Sequence, residues 1–238
     1  LAATMAAVKR VPETLEPERN FLQAVAQIQQ ERDLVVALSV LDYLAEELGR
    51  APAKVTGPDA AARPTVYEVQ TWRGVARMRG EQIASARQAF AEAIQERPDL
   101  PDAYYWNAEL EVREGQYDAA QMLLQNALAT SANYAPAWET LGWMALETGN
   151  IELALEDLHN AVVANPRRAS AHFLVAHASA QLANREETAA ALRAAFALDP
   201  SYVDKARTEV FLRLFSEAEL EALAADAATA EGEGDQAE

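Results

Sequence analysis

Cysteine is missing from all 238 residues, which removes disulfides, thiolate metal sites and thiol catalysis. Its absence leaves the compartment open. Glycine and proline are scarce, at 9 and 10, and strand formers cluster nowhere for long. With half of the chain apolar and alanine dominant, the composition is that of an all-helical protein. Positive charge is also in short supply. The formal net charge is −17, which argues against nucleic-acid binding and against docking on anionic membranes. The same acidity keeps the chain soluble and favours basic partners. No apolar run approaches the ~18 residues needed to cross a bilayer.

Catalytic signatures are missing too. There is no glycine-rich phosphate loop, no nucleophile elbow and no His-Glu-x-x-His arrangement. The three histidines, His159, His172 and His177, come without clustered acids, and His172 and His177 fall on different faces of a helix. The sequence therefore predicts no catalytic residue, no metal site and no cofactor.

What is present is periodicity. Ala86, Ala120, Ala154 and Thr188 follow one another at intervals of 34 residues. Ala93, Ala127, Ala161 and Ala195 do the same, as do Phe90, Leu124, Leu158 and Leu192, and Ile94, Leu128, Val162 and Phe196. Gly74, Ala108, Gly142 and Ala176 share a further phase, and Pro98, Ala132, Pro166 and Pro200 another. Each unit reads as two antiparallel helices. Gly115 and Gly149 end the first helix in the left-handed conformation, and Pro166 and Pro200 stop the second. Small residues at Ala120, Ala154 and Ala161 let helices approach, with Leu124 and Leu158 filling the space beside them. A single hairpin cannot bury its apolar face, so neighbours must stack.

The period and the residue types resemble the tetratricopeptide repeat family. The clearest copy, Ala135 to Arg168, has Trp138, Leu141-Gly142, Ala145, Gly149, Ala154, Leu158, Ala161 and Pro166. The copy from Pro101 to Tyr134 departs from the pattern at Asn107, where the family prefers leucine. The copy from Ala169 to Tyr202 carries Ala183 at the turn. In the copy from Tyr67 to Leu100, Gly80 comes one residue early, so a first helix shifted by one is expected. The resemblance implies a right-handed superhelical solenoid of helix hairpins, with tandem repeats at 66–100, 101–134, 135–168 and 169–202.

The flanks extend this plan. Residues 1–16 form an N-terminal segment. Residues 17–50 lack internal glycine and proline breaks up to Leu48 and carry helical apolar spacing (Phe21, Val25, Ile28, then Val36, Val40, Leu41, Leu44, Leu48), which reads as one long helix or a hairpin broken near Arg32-Asp33, the divergent hairpin being the expectation. Residues 51–65, with Pro52, Gly57, Pro58 and Pro64, read as a linker. Capping helices are expected over 203–226, with Ser216 and Glu219 as a capping box, and a disordered acidic tail over 227–238. An excess of arginine over lysine, 17 to 3, suits a GC-rich bacterial genome. The chain starts at Leu1. Cytoplasmic residence is the expectation, with the periplasm as the alternative if a signal peptide was removed.

In the family the first helix of each repeat lines a concave groove that takes a peptide or helix. Carried onto this sequence, the groove phases are Asp102, Tyr105, Glu109, Val112 and Arg113, then Glu139, Trp143, Leu146 and Glu147, then Phe173, His177 and Gln181. Tyr67, Gln70, Arg77 and Met78 or their neighbours belong to the first copy. Tyr105, Trp143 and Phe173 would anchor a partner, and Glu109, Glu139 and Glu147 would favour lysine or arginine beside its apolar residues. Members that clamp the acidic tails of heat-shock chaperones carry Lys, Asn and Arg at these positions. Here Tyr105, Glu109, Glu139, Trp143, Phe173 and His177 stand there, so that ligand is not expected. The sequence thus points to a scaffold or adaptor for a protein or peptide. A subunit that assembles through its convex face, ends and N-terminal hairpin, with homo-oligomers among its forms, is the alternative.

Overall fold

The computed structural model describes residues 17–50 and 64–234, and all regular structure among them is helical. The N-terminal segment, the linker up to residue 63 and residues 235–238 lie outside the described residues. The chain divides into two compact units, Leu1–Thr130 and Ser131–Glu238.

The first unit begins with helices α1 (Pro17–Gln29) and α2 (Leu34–Arg50). Phe21, Ala24 and Ile28 of α1 meet Ala37, Leu41 and Leu44 of α2 in one buried cluster, as the i, i+3, i+4 and i+7 spacings require. Helices α3 (Val66–Arg79) and α4 (Ile83–Glu96) follow, then α5 (Asp102–Arg113) and α6 (Tyr117–Thr130). Thr65 and Glu68 form a capping box that opens α3, the Glu68 amide donating to Thr65 Oγ1 (3.2 Å) and the Thr65 amide to Glu68 Oε2 (2.7 Å). Asp42 of α2 accepts from Arg73 Nε (2.8 Å) and Arg77 Nη2 (3.2 Å) of α3, which ties the N-terminal hairpin to the first repeat.

The second unit holds α7 (Ala135–Glu147), α8 (Ile151–Ala164), α9 (Ala169–Gln181) and α10 (Arg185–Leu198). Two one-turn helices, α11 (Tyr202–Lys205) and α12 (Glu209–Leu212), lead to α13 (Glu217–Gly234). The Ser216 and Glu219 amides exchange bonds with the opposite side chains at the start of α13 (2.8 and 3.3 Å). This helix runs past residue 227, where a disordered tail is expected, and Ala227 is buried. The correction has a simple cause: Ala222 to Ala230 is rich in the best helix former, and its apolar side packs on the core through Leu220, Leu223 and Ala227.

The 34-residue series are core positions. Phe90, Leu124, Leu158 and Leu192 are fully buried, as are the four alanines from Ala93 to Ala195. Thr188 is buried at its alanine phase, and its hydroxyl satisfies itself on the Asn184 carbonyl (2.7 Å).

The turns are equally periodic. Glu81, Gly115, Gly149 and Ala183 have φ of 59°, 72°, 76° and 56°. In each, the next residue's amide reaches back to the helix: Gln82 to Arg77 (2.8 Å), Gln116 to Glu111 (2.8 Å), Asn150 to Ala145 (2.9 Å) and Asn184 to Ser179 (2.9 Å). The first copy is therefore in register. Gly80 is right-handed (φ −84°), and Glu81 takes the left-handed position, so the expected one-residue shift does not occur. An L side chain is strained there, by about 1–2 kcal/mol per residue, while glycine loses part of that gain to unfolded-state entropy. Glu81→Gly and Ala183→Gly are each expected to stabilise the fold by about 0.5–1 kcal/mol, read as a higher urea midpoint. A lower midpoint in both would contradict the strain argument.

Candidate functional site

In the first unit, α5 presents Asp102, Tyr105, Glu109 and Val112 as partly buried side chains and Arg113 as an exposed one. The Arg113 guanidinium leans back on the Met78 carbonyl (3.5 Å). Tyr105 meets Trp106 edge-on, with centroids 5.2 Å apart, and Trp106 lies tilted 6.5 Å from Trp72. Both tryptophans are partly buried against the core of this unit. Neither is among the expected groove residues, although their 34-residue spacing marks them as equivalent positions on successive first helices. Rings at one phase on neighbouring helices make a continuous aromatic surface.

The first copy contributes less than expected. Tyr67 is buried, with its hydroxyl accepting from the Ala103 amide (3.1 Å), and burial raises its pKa. Met78 is also core. Gln70 accepts from Arg73 (2.6 Å). Arg77 is held by Asp42, and burial, then Arg73, lowers its pKa. These residues frame the repeat and join it to the N-terminal hairpin.

In the second unit, Trp143 is partly exposed on α7 and Glu147 is exposed. Leu146 is only 8% exposed and belongs to the core cluster, which corrects its expected groove position. Glu139 accepts from Arg168, and from the Ser170 hydroxyl at 2.9 Å. The pKa of Tyr202 is raised by burial and then by Glu139. The acid expected to await a basic partner is thus already matched within the chain.

Phe173 and His177 are covered. The Tyr202 ring lies 4.8 Å from Phe173, and Phe211 lies 5.4 Å from Phe173 and 6.1 Å from His177. Burial lowers the His177 pKa, with Glu147 acting in the opposite direction. Repeat phase predicts which face a residue occupies; it carries no information about what the chain lays on that face after the last repeat. Gln181, at the end of α9, stays exposed.

Among the described residues no three His, Asp or Glu side chains come together as metal ligands, and no helix is long and apolar enough to cross a membrane.

The sequence profile of the tetratricopeptide repeat family matches residues 78–141. Over that stretch the chain carries tetratricopeptide repeats. Solved structures share its all-α repeat fold. One is TTC0263, a thermophilic tetratricopeptide-repeat protein of Thermus thermophilus, at 16% identity and a TM-score of 0.59, covering 89% of this chain and 99% of that one. Another is MamA, at 16% identity and a TM-score of 0.55, covering 76% and 96%. MamA 41-end from Desulfovibrio magneticus RS-1 aligns at 16% identity and a TM-score of 0.54, covering 79% and 97%. No curated protein matches the sequence. Tetratricopeptide-repeat proteins are in general scaffolds without enzymatic activity, and they bind protein or peptide partners.

Proposed function

We propose that this tetratricopeptide-repeat protein is an adaptor that holds a segment of a partner protein against the first-helix faces of its repeats. The observation that carries this reading is the linked ring surface of Trp72, Trp106 and Tyr105 in the first unit. Large rings that are only partly buried supply binding area at low entropic cost. Trp143, beside exposed Glu147, offers a second anchor in the other unit. The net charge of −17 selects segments with lysine or arginine near their apolar residues.

The test compares wild type with Tyr105→Ala and Trp143→Ala in pull-downs from lysate, with bound proteins identified by mass spectrometry. Loss of the same partner in either variant, at unchanged helicity, is the expected result. Equal retention by both would transfer the function to other surfaces. The reading that then takes over is an assembly subunit, supported by Leu22 and Val35 of the N-terminal hairpin, which stand 57% and 58% exposed.

A further inference from the structure

We infer that residues 202–215 are the resident occupant of the α9 face in the second unit, and that this face takes segments carrying two spaced aromatic side chains. The inference rests on the first-helix faces being the binding surface, but its test requires no outside partner.

Phe173 and His177 lie one turn apart on α9, at the phases held by Glu139 and Trp143 on α7 and by Tyr105 and Glu109 on α5. On α9 this face carries a later stretch of the same chain. The Tyr202 ring lies tilted against Phe173, and Phe211 meets both Phe173 and His177 edge-on. Phe211 is 1% exposed there.

The shape of the segment fits an occupant better than a further repeat. Helices α11 and α12 have four residues each, too short to hold themselves without the surface beneath. The long helix α13 is secured by other means. Leu220, Leu223 and Ala227 sink into the core, and Arg185 donates to the Leu214 carbonyl and to Glu219 (2.6 Å) while lying 4.4 Å over Phe215. Phe211 shares its core cluster with Leu220, Leu223 and Ala227, but the Arg185 contacts that hold the start of α13 on α10 are made without Tyr202 or Phe211.

The occupant also shows which chemistry the face accepts. Between its two rings stand Lys205, 4.1 Å over Tyr202, and Arg207, paired with Asp204 and Glu221. Both cations are held within the segment and by α13, so a matching segment is defined by its two spaced aromatic residues. A tethered occupant works at an effective concentration on the order of millimolar, so a free segment competes poorly with it.

The probe is a fluorescently labelled synthetic peptide of residues 202–215, titrated by anisotropy into the full chain. Wild type is expected to bind it at least tenfold more weakly than a Tyr202→Ala, Phe211→Ala variant whose face is vacated. Adding Phe173→Ala to that variant should abolish the gain. A vacated variant that keeps its helicity and still binds no better than wild type overturns the inference. It would leave the Tyr105 and Trp143 results standing, so the two readings fail separately. Should the double variant unfold, hydrogen exchange on unaltered protein decides. Amides of 203–212 are expected to exchange at least tenfold faster than those of 218–228, and equal protection would make the segment a permanent part of the core.

Discussion

Gly74→Ala should destabilise the protein by about 2–3 kcal/mol, net of the ~1 kcal/mol that alanine gains over glycine inside a helix. A Cβ added at Gly74 would sit 2.3 Å from Phe90 Cε1, 2.5 Å from Cδ1 and 2.8 Å from Cζ. That ring is fully buried and has no flexible end to swing away. The other copies suggest the remedy, because Ala108 stands at the Gly74 phase opposite Leu124 at the Phe90 phase, and Ala176 likewise opposite Leu192. Phe90→Leu should therefore be destabilising alone yet recover much of the loss in the Gly74→Ala background. Urea denaturation of the four proteins in a double-mutant cycle measures this, with an expected coupling of more than ~1 kcal/mol. Additive losses would mean that α3 and α4 do not approach so closely. Gly142→Ala makes a useful contrast. There the added carbon meets Leu158 Cγ at 2.5 Å and also the Ala154 carbonyl oxygen at 3.1 Å, so trimming a side chain cannot relieve all of it.

Asp157→Asn should stabilise the protein at neutral pH by about 1–3 kcal/mol. Asp157 is 9% exposed on α8, and burial, with a smaller push from Glu156, raises its pKa from 3.8 to about 6. Above pH 6 the folded chain must keep an anion out of water. Between pH 6 and 3.8 the folded state binds more protons than the unfolded one, so this group's contribution to stability improves on acidification. The advantage of Asp157→Asn should accordingly be full at pH 7.5 and nearly gone at pH 4. His177 works in the opposite sense. Its pKa is depressed below 6.5, so acidification through that value favours the unfolded state. The difference between variant and wild type cancels the histidine, and melting temperatures across this pH range report Asp157 alone. An advantage that does not change with pH would rule out the buried carboxylate as its source.

The repeat phases identify the core because packing repeats with the chain. Every leucine and alanine position at 124, 127, 158, 161, 192 and 195 is fully buried. The same arithmetic fails wherever a residue's surroundings are not periodic. Gly80 reads as a turn residue on its identity, but helix length and the backbone bond from Gln82 to Arg77 put Glu81 in the left-handed position. Leu146 has a groove phase and sinks into the core of its unit. Glu139 has one too, and Arg168, the residue that precedes α9, reaches it first. Phe173 and His177 are covered by residues that belong to no repeat. In the other direction, the tryptophans at 72 and 106 are legible from spacing alone, since two large rings at one phase must meet when hairpins stack.

The scarcity of lysine has a use once the α9 face is known. Lys205 is the one lysine within residues 17–50 and 64–234, and its ammonium lies against the Tyr202 ring. Amine-directed reagents acting on the described part of the chain therefore converge on a single nitrogen, and acylation would strip its charge and its hold on the ring. Conjugating a dye, biotin or bead through Lys205 tags the very segment that rests on α9. Immobilisation by that chemistry would disturb the surface it is meant to display, whereas the reactivity of Lys205 itself offers a reporter of whether the segment is seated.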